Sequence, residues 1–370
     1  MTAFSGHFCF NSYIFMIKYN LVMLMQSIYN LSLSDLRQYF IDKGEKPYRA
    51  IQIFEWLYRF QIRSFSEMTN QKKSIIEMLN NEFSLDLLEL KERQISSDKT
   101  EKFLFELKDG SLIETVLMNH VYGNSLCVTT QVGCNMNCAF CASGMHKKIR
   151  NLTTAEIVLQ VMSVSNIIGK RISHIVIMGI GEPFDNYENV TRFMRIANEP
   201  KGLEIGARHI SVSTCGLVPK IYEFANEEMQ SNLAISLHAP TDEIRNQIMP
   251  INKAYPLDIL MKAIKDYIDK TNRRVTLEYI LLRDVNDSKE CANKLASLIF
   301  GMNVYVNLIP YNEVKEKPFK RSLPNVMRDF YDTLKKRGIN VTLRQEQGHD
   351  IDAACGQLRS KKMNNNTNYA

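Results

Sequence analysis

The sequence predicts an α/β chain: a parallel, barrel-like sheet of six strand–helix units, closed or partly open, behind a small helical module. Three observations predict it. Apolar, strand-like runs at 126–132, 172–178, 209–214, 232–238, 275–281 and 304–310 alternate with helix-like runs at 153–168, 187–198, 217–227, 256–270 and 287–300. The strand-like runs carry little polar alternation, as strands buried on both faces should. Ahead of them, Leu36, Phe40, Ile51, Phe54, Leu57 and Tyr58 recur at three- and four-residue spacing, the mark of amphipathic helices.

Composition sets the outer bounds. The chain has 370 residues, 45% hydrophobic and 23% charged, which suits a globular protein with one large domain and a smaller one. A net charge of +6 permits nucleic-acid binding without requiring it. Four of the eight cysteines crowd into 127–150, while Cys9, Cys215, Cys291 and Cys355 are scattered. That is no disulfide scaffold, and a reducing cytoplasm is expected.

Residues 1–25 are apolar and aromatic, but Asn11, Ser12, Lys18 and Asn20 interrupt them before a membrane span is reached. They read as an extension ahead of a start at Met23 or Met25, with no membrane role. Residues 26–92 form the helical module, with a break at Gly44 and Pro47. Its Lys46, Arg49, Arg59, Arg63, Lys72 and Lys73 suit either an RNA backbone or a solvated helical face. Within 93–124, two alternating runs meet at Asp109-Gly110, a hairpin signal, and the hairpin reads as a linker. Glu114 falls inside its apolar second strand, a costly place for a carboxylate without a partner.

The barrel is expected over 125–345. Thr153 and Glu156 form a capping-box pattern at its first helix, and Asp287 with Glu290 repeats the pattern later. A last strand over 339–344 leads to a glycine-flanked loop at 346–362, then an asparagine-rich tail at 363–370 that reads as disordered.

The chemistry concentrates after the first strand. Cys134, Cys138 and Cys141 stand at Cys-x3-Cys-x2-Cys on a loop punctuated by Gly133, Asn135, Asn137 and Gly144. Three thiolates on one loop suit iron–sulfur or zinc. A structural zinc needs four ligands, and the nearest further candidate is His146, so a zinc knuckle stands as the alternative. A [4Fe–4S] cluster on three cysteines leaves one iron open. Polar or glycine punctuation then follows the other strands: Gly179 to Pro183, Ser213-Thr214, Ser236 to His238, and Pro310 to Asn312. In parallel α/β sheets those carboxyl ends share one rim, where ligands bind. Gly179-Ile-Gly181 is no dinucleotide fingerprint, since the third glycine is missing and Pro183 intrudes.

The cysteine spacing, with Phe140 before the last cysteine, resembles the signature of the radical S-adenosylmethionine (SAM) superfamily. Gly181-Glu182-Pro183, the runs 206–214 and 232–239, and Gly-His-Asp-Ile-Asp-Ala-Ala-Cys-Gly-Gln-Leu at 348–358 are similar to the RlmN family. The likeness runs from about Gln26 to Lys361; residues 1–25 match nothing in it, and 143–148 depart from its usual form.

The resemblance implies a partial (β/α)6, TIM-like radical SAM barrel with an N-terminal helical accessory domain. It implies a radical methyltransferase acting on C2 of one adenosine in 23S rRNA and of another in tRNA, using two SAM molecules per methyl group. Cys134, Cys138 and Cys141 would hold the cluster. Gly181, Glu182, Ser213, Ser236, Leu237, His238 and Asn312 would line the SAM site. Cys355 would carry a methyl group, Cys127 would be its thiol partner in a transient disulfide, and Glu114 would be the base. The partners implied are the two RNAs and a low-potential, flavodoxin-like electron donor, with the chain a monomer.

Such a route suits the target. Adenine C2 is electron-poor and cannot attack a sulfonium methyl, so a polar transfer lacks a nucleophile. A carbon radical made from the Cys355-borne methyl removes that demand, and Cys127 then attacks the Cys355 sulfur to free the RNA. Lys147, Lys148, Arg150, Lys315, Lys317, Lys320, Arg321, Arg359, Lys361 and Lys362 stand near the active rim as candidate RNA contacts. Cfr, a C8 adenosine methyltransferase, shares the cluster and both cysteines, but Gly-Glu-Pro favours RlmN. A non-catalytic RNA-binding protein with a structural metal is the alternative of another class.

Overall fold

The computed structural model describes residues 25–345, together with 347, 348, 350, 351 and 358. They fall into two compact units: residues up to Leu87 with Glu199–Leu203, and the remainder.

In the smaller unit three helices pack their apolar stripes together: α1 (Leu33–Asp42), α2 (Tyr48–Tyr58) and α3 (Lys73–Glu82). Ser32 opens α1 as a capping box with Asp35, satisfying end N–H groups that a helix cannot bond internally. Leu36, Phe40, Phe54, Leu57, Ile75 and Leu79 are buried; on α2 the stripe runs through Ile53 while Ile51 is half-buried. The short strands β1 (Gln26–Ser27) and β2 (Phe83–Ser84) pair in parallel and tie the two ends of the module. Arg49 does not face an RNA: it is buried, ion-paired to Glu45 at 2.9 Å and bonded to Gln71.

The larger unit is built on one ten-stranded sheet. Its strands are β3 (Glu89–Ile95), β4 (Glu101–Glu106), β5 (Leu112–His120), β6 (Gly123–Cys127), β9 (His174–Ile177), β10 (Ile210–Thr214), β11 (Asn232–Ser236), β12 (Val275–Leu281), β13 (Val304–Pro310) and β14 (Val341–Leu343). The spatial order is 14-13-12-11-10-9-6-5-4-3, parallel from β6 to β14 and antiparallel from β6 to β3. Helices α4 (Thr154–Ile168), α5 (Tyr187–Asn198), α6 (Val218–Phe224), α7 (Asp242–Ile248), α8 (Leu257–Thr271), α9 (Lys289–Leu298) and α10 (Pro324–Lys336) fill the crossovers. Six strand–helix units and a closing strand thus make the expected partial barrel, open between β14 and β3 among the described residues.

The differences from the sequence reading have physical causes. Strand β3 begins at Glu89, where the helical module was expected to run on to residue 92. It is held by cross-strand ion pairs, Lys91 to Glu106 and Arg93 to Glu101, rather than by apolar burial, so it leaves no hydrophobic period. The hairpin is not a separate linker, because β5 pairs with β6 and extends the barrel sheet. The cap of α9 is Ser288, which accepts from Cys291, while Asp287 accepts from Asp284 instead. At α4 the expected Thr153–Glu156 box is present.

The first parallel strand is also split. β6 ends at Cys127, and the chain then leaves the sheet before β7 (Gln131–Val132) pairs antiparallel with β8 (Arg150–Asn151). A buried amide makes this possible. Gln160 of α4 accepts from the Thr129 N–H at 2.8 Å and from the Thr115 hydroxyl at 2.9 Å, and donates to the Thr129 carbonyl at 2.9 Å. Without it, buried peptide groups of Thr129 would lack partners. Gln160→Ala is expected to lower unfolding free energy by about 2–4 kcal/mol, seen as a lower urea midpoint at unchanged slope; an unchanged midpoint contradicts this.

Candidate active site

The strand pair β7–β8 pinches off the cysteine loop at its base. Cys134 N–H donates to the His146 carbonyl at 3.1 Å, and Ile149 N–H to the Val132 carbonyl at 2.7 Å. Gly133 has φ +83°, and a Cβ there would lie 2.2 Å from the Lys147 carbonyl oxygen, so only glycine fits. At the loop's far side Ala139 N–H donates to the Ile248 carbonyl at 2.9 Å, and the Tyr311 hydroxyl to the Phe140 carbonyl at 3.1 Å. The loop is therefore a fixed platform.

Cys134, Cys138 and Cys141 are free thiols on one wall of a cavity of about 400 Å³. Burial pushes the Cys134 thiol up to about 12 and raises Cys138 as well, and neighbouring sulfurs add to both shifts. Thiolates so placed need a cation to share. Among the described residues, however, no three such ligands converge as a single ion would need. A four-iron cluster is wider than one ion, and a soft three-thiolate set on one loop suits it.

Gly181, Glu182, Ser213, Ser236, His238 and Asn312 line the same cavity from the carboxyl ends of the strands. Leu237 does not: its side chain is fully buried, and only its backbone serves the rim, donating to the Glu278 carbonyl at 3.1 Å. Glu182 is sealed, and its carboxylate accepts from Cys215 N–H at 2.8 Å and Phe184 N–H at 3.0 Å. Burial raises its pKa. His238 sits at φ +59°, accepts from Ile280 N–H at Nδ1, and so carries its proton on Nε2. Burial, then Arg245, lowers its pKa to about 3, so the ring stays neutral.

Two further residues belong to the same lining. Cys127 at the end of β6 and Glu114 on β5 both line the cavity. Glu114 is 3% exposed and ion-paired at 2.8 Å to Lys102 of β4, which is 0% exposed. Cys127 is a free thiol pushed up to about 11 by burial, against which Arg344 and Lys102 pull it lower. Cys355 lies outside the described residues, as do Arg359, Lys361 and Lys362. There is no disulfide among the described cysteines.

Comparison with known proteins gives the same composition of parts. Residues 128–295 match the radical SAM superfamily and residues 26–85 the ribosomal RNA large subunit methyltransferase N-terminal domain. The chain is 55% identical to "Probable dual-specificity RNA methyltransferase RlmN" of Geobacillus kaustophilus, covering 93% of this chain and 95% of the relative. It is 57% identical to the protein of that name from Spiroplasma citri, covering 91% and 98%. The chain belongs to the RlmN family. A crystal structure of a radical SAM methyltransferase from Sphaerobacter thermophilus superposes with a TM-score of 0.84 at 42% identity, over 90% of this chain and 98% of that one. Radical SAM membership brings a [4Fe–4S] cluster and SAM as cofactors, and the RlmN relatives leave the Cfr reading unsupported.

Several residues of this RlmN-family site escape sequence reasoning. Arg245 of α7 is wholly buried and donates to the Cys215, Ser236 and Leu237 carbonyls, tying the ends of β10 and β11 together. Glu278 of β12 and Arg344 after β14 border the cavity. Only Lys102 left a signal: pairing outward from the Asp109-Gly110 turn puts Leu104 opposite Glu114, and Lys102 on the diagonal. Two expected RNA contacts are already engaged, Lys148 with Asp185 at 2.6 Å and Arg150 with Asp109 and Glu156. Lys147, Lys315 and Lys320 remain exposed, Lys320 beside Glu313.

Gly181 tests the rim most simply. At φ +112° a Cβ would lie 2.7 Å from Gln131 Cβ and 2.8 Å from Thr130 Oγ1. Gly181→Ala is expected to weaken SAM binding by the reconstituted protein at least about tenfold, as about 1–3 kcal/mol of backbone strain implies. Unchanged affinity by equilibrium dialysis contradicts that role for the turn.

Proposed function

We propose that this chain is a SAM-dependent RNA methyltransferase of dual specificity that methylates C2 of adenosine in 23S rRNA and in tRNA. One observation carries the reading: a single cavity is bordered by the three-cysteine loop, by the polar strand ends, and by Cys127 with Glu114.

Cys134, Cys138 and Cys141 would hold a [4Fe–4S] cluster with one iron left for SAM. Bound there, the pair would supply one-electron cleavage chemistry, which generates a radical able to take hydrogen from an unactivated methyl group. Gly181 lets the backbone approach closely, and Ser213, Ser236 and Asn312 offer hydroxyl and amide groups to the ribose and amino-acid parts of SAM. Glu182 reinforces the rim through its backbone bonds, and neutral His238 offers an Nε2–H donor. His238 adds no positive charge beside a cationic sulfonium.

Cys355 is the methyl-carrying residue on the strength of its sequence motif, and Cys127 is the thiol that releases the RNA by attacking the Cys355 sulfur. With its pKa near 11, Cys127 is largely protonated at neutral pH and must lose its proton to act. Glu114 borders the same cavity and is the base that receives the C2 proton. The transient disulfide then requires reduction. The electron donor is of the low-potential, flavodoxin-like class. The chain acts as a monomer in the cytoplasm, where its proposed RNA substrates are; no helix among the described residues is long and apolar enough to cross a membrane.

Cys127→Ala keeps every step up to the covalent adduct and removes its release. With methyl-labelled SAM and protein-free 23S RNA, an enzyme–RNA cross-link stable to denaturation is expected to accumulate. Absence of the cross-link, with free methylated RNA still formed, contradicts the reading.

A further inference from the structure

The assignment of Glu114 as the base leaves a physical problem that its neighbour answers. Glu114 and Lys102 are 3% and 0% exposed, with Oε2 and Nζ 2.8 Å apart. A carboxylate at this depth is costly unless charge or hydrogen bonds compensate it. As a contribution to stability alone the pair is a poor device, since apolar residues of similar volume often serve as well.

Its placement suggests another use. Glu114 borders the cavity, whereas Lys102, on the same face of the sheet, has no exposed surface. The backbone of Glu114 is fixed too, its carbonyl accepting from the Thr129 hydroxyl at 2.6 Å. Thr129 is the residue Gln160 clamps as the chain turns toward the cysteine loop.

We propose that Lys102 is a positioning residue that keeps Glu114 ionised and aimed into the cavity, ready to take the proton from adenine C2. This rests on the reading of Glu114 as the base. In the step concerned the C2–H bond breaks, its electron pair stays with the purine, and the proton forms an O–H bond on Glu114. The carboxylate becomes a neutral acid beside a lysine cation, and it returns its proton to water after the RNA leaves.

Other charged or titratable groups share the surroundings: Cys127 on β6, Glu278 on β12 and Arg344 after β14. Arg344 adds positive charge near both Glu278 and Cys127; burial raises the pKa of Glu278, and Cys127 is largely neutral at pH 7. Lys102 is the cation in direct contact with the Glu114 carboxylate. Removing the charge of so close a cation favours the protonated form of a buried carboxyl, and a protonated acid cannot act as base.

The sign of the pH effect follows. In Lys102→Met the single-turnover rate of 2-methyladenosine formation by the reconstituted full-length protein is expected to fall about tenfold or more at neutral pH. It should recover as pH rises. Glu114→Gln should be slow at every pH, and Lys102→Arg should keep a near-normal profile. A second readout needs no cofactor: the infrared spectrum of Lys102→Met should contain a buried carboxylic-acid band that fades with rising pH and is missing from Lys102→Met/Glu114→Gln.

If Lys102→Met does not fold, Lys102→Gln, which keeps a hydrogen-bond donor without the charge, is read in the same two ways. A Lys102 variant with a wild-type pH profile, or one slow by the same factor at every pH without the band, overturns the proposal while Glu114→Gln remains slow. A fully active Glu114→Gln instead removes the assignment of the base, and the proposal falls with it.

Discussion

The amide of Gln160 is the point on which the geometry of the rim depends. A parallel strand that simply ran on past Cys127 would carry the cysteines along the sheet. To bring them over the barrel mouth the chain must quit the sheet while still buried, which strands peptide groups. Gln160 bonds both the N–H and the carbonyl of Thr129, and its oxygen also accepts from Thr115 on β5. One side chain thus joins α4, the strand that carries Glu114, and the start of the cysteine loop. The cysteine loop and the strand bearing Glu114 are consequently held in one frame.

A second constraint concerns charge in a partly enclosed cavity. The site must accept a sulfonium cation, soft thiolates and a purine without trapping an uncompensated ion. Each buried charge accordingly has fixed partners. Glu182 is bonded by two backbone N–H groups, Arg245 donates to three carbonyls, Glu278 accepts from Asn307, and Glu114 meets Lys102. His238 avoids the problem by staying neutral. Most of these partners belong to backbone at strand ends, so the electrostatics of the site and the closure of the barrel rim are one structure.

Much of this was legible in the sequence because it rests on local signals. Apolar runs buried on both faces marked the parallel strands, the Thr153–Glu156 box marked the first barrel helix, and cysteine spacing marked the loop that borders the cavity. What stayed hidden depends on contacts distant along the chain. Strand β3 is an exposed edge secured by ion pairs, and Arg245 looks like any charged residue on a short amphipathic helix until its carbonyl partners are known. Ser288 and Asp287 are adjacent acceptors, and only the local backbone decides which one caps α9. The basic residues mislead in the same way: Arg49, Lys148 and Arg150 satisfy neighbouring carboxylates of the protein itself.

The central claim is that the transferred carbon passes through a radical borne on a cysteine sulfur. It is tested most directly by supplying SAM with a fully deuterated methyl group and weighing the nucleosides of the product RNA. The account predicts 2-methyladenosine whose new methyl group is one deuterium short, its place taken by hydrogen from water or from C2. Methyladenosine with all its deuterium intact, or methylated at C8, would contradict it.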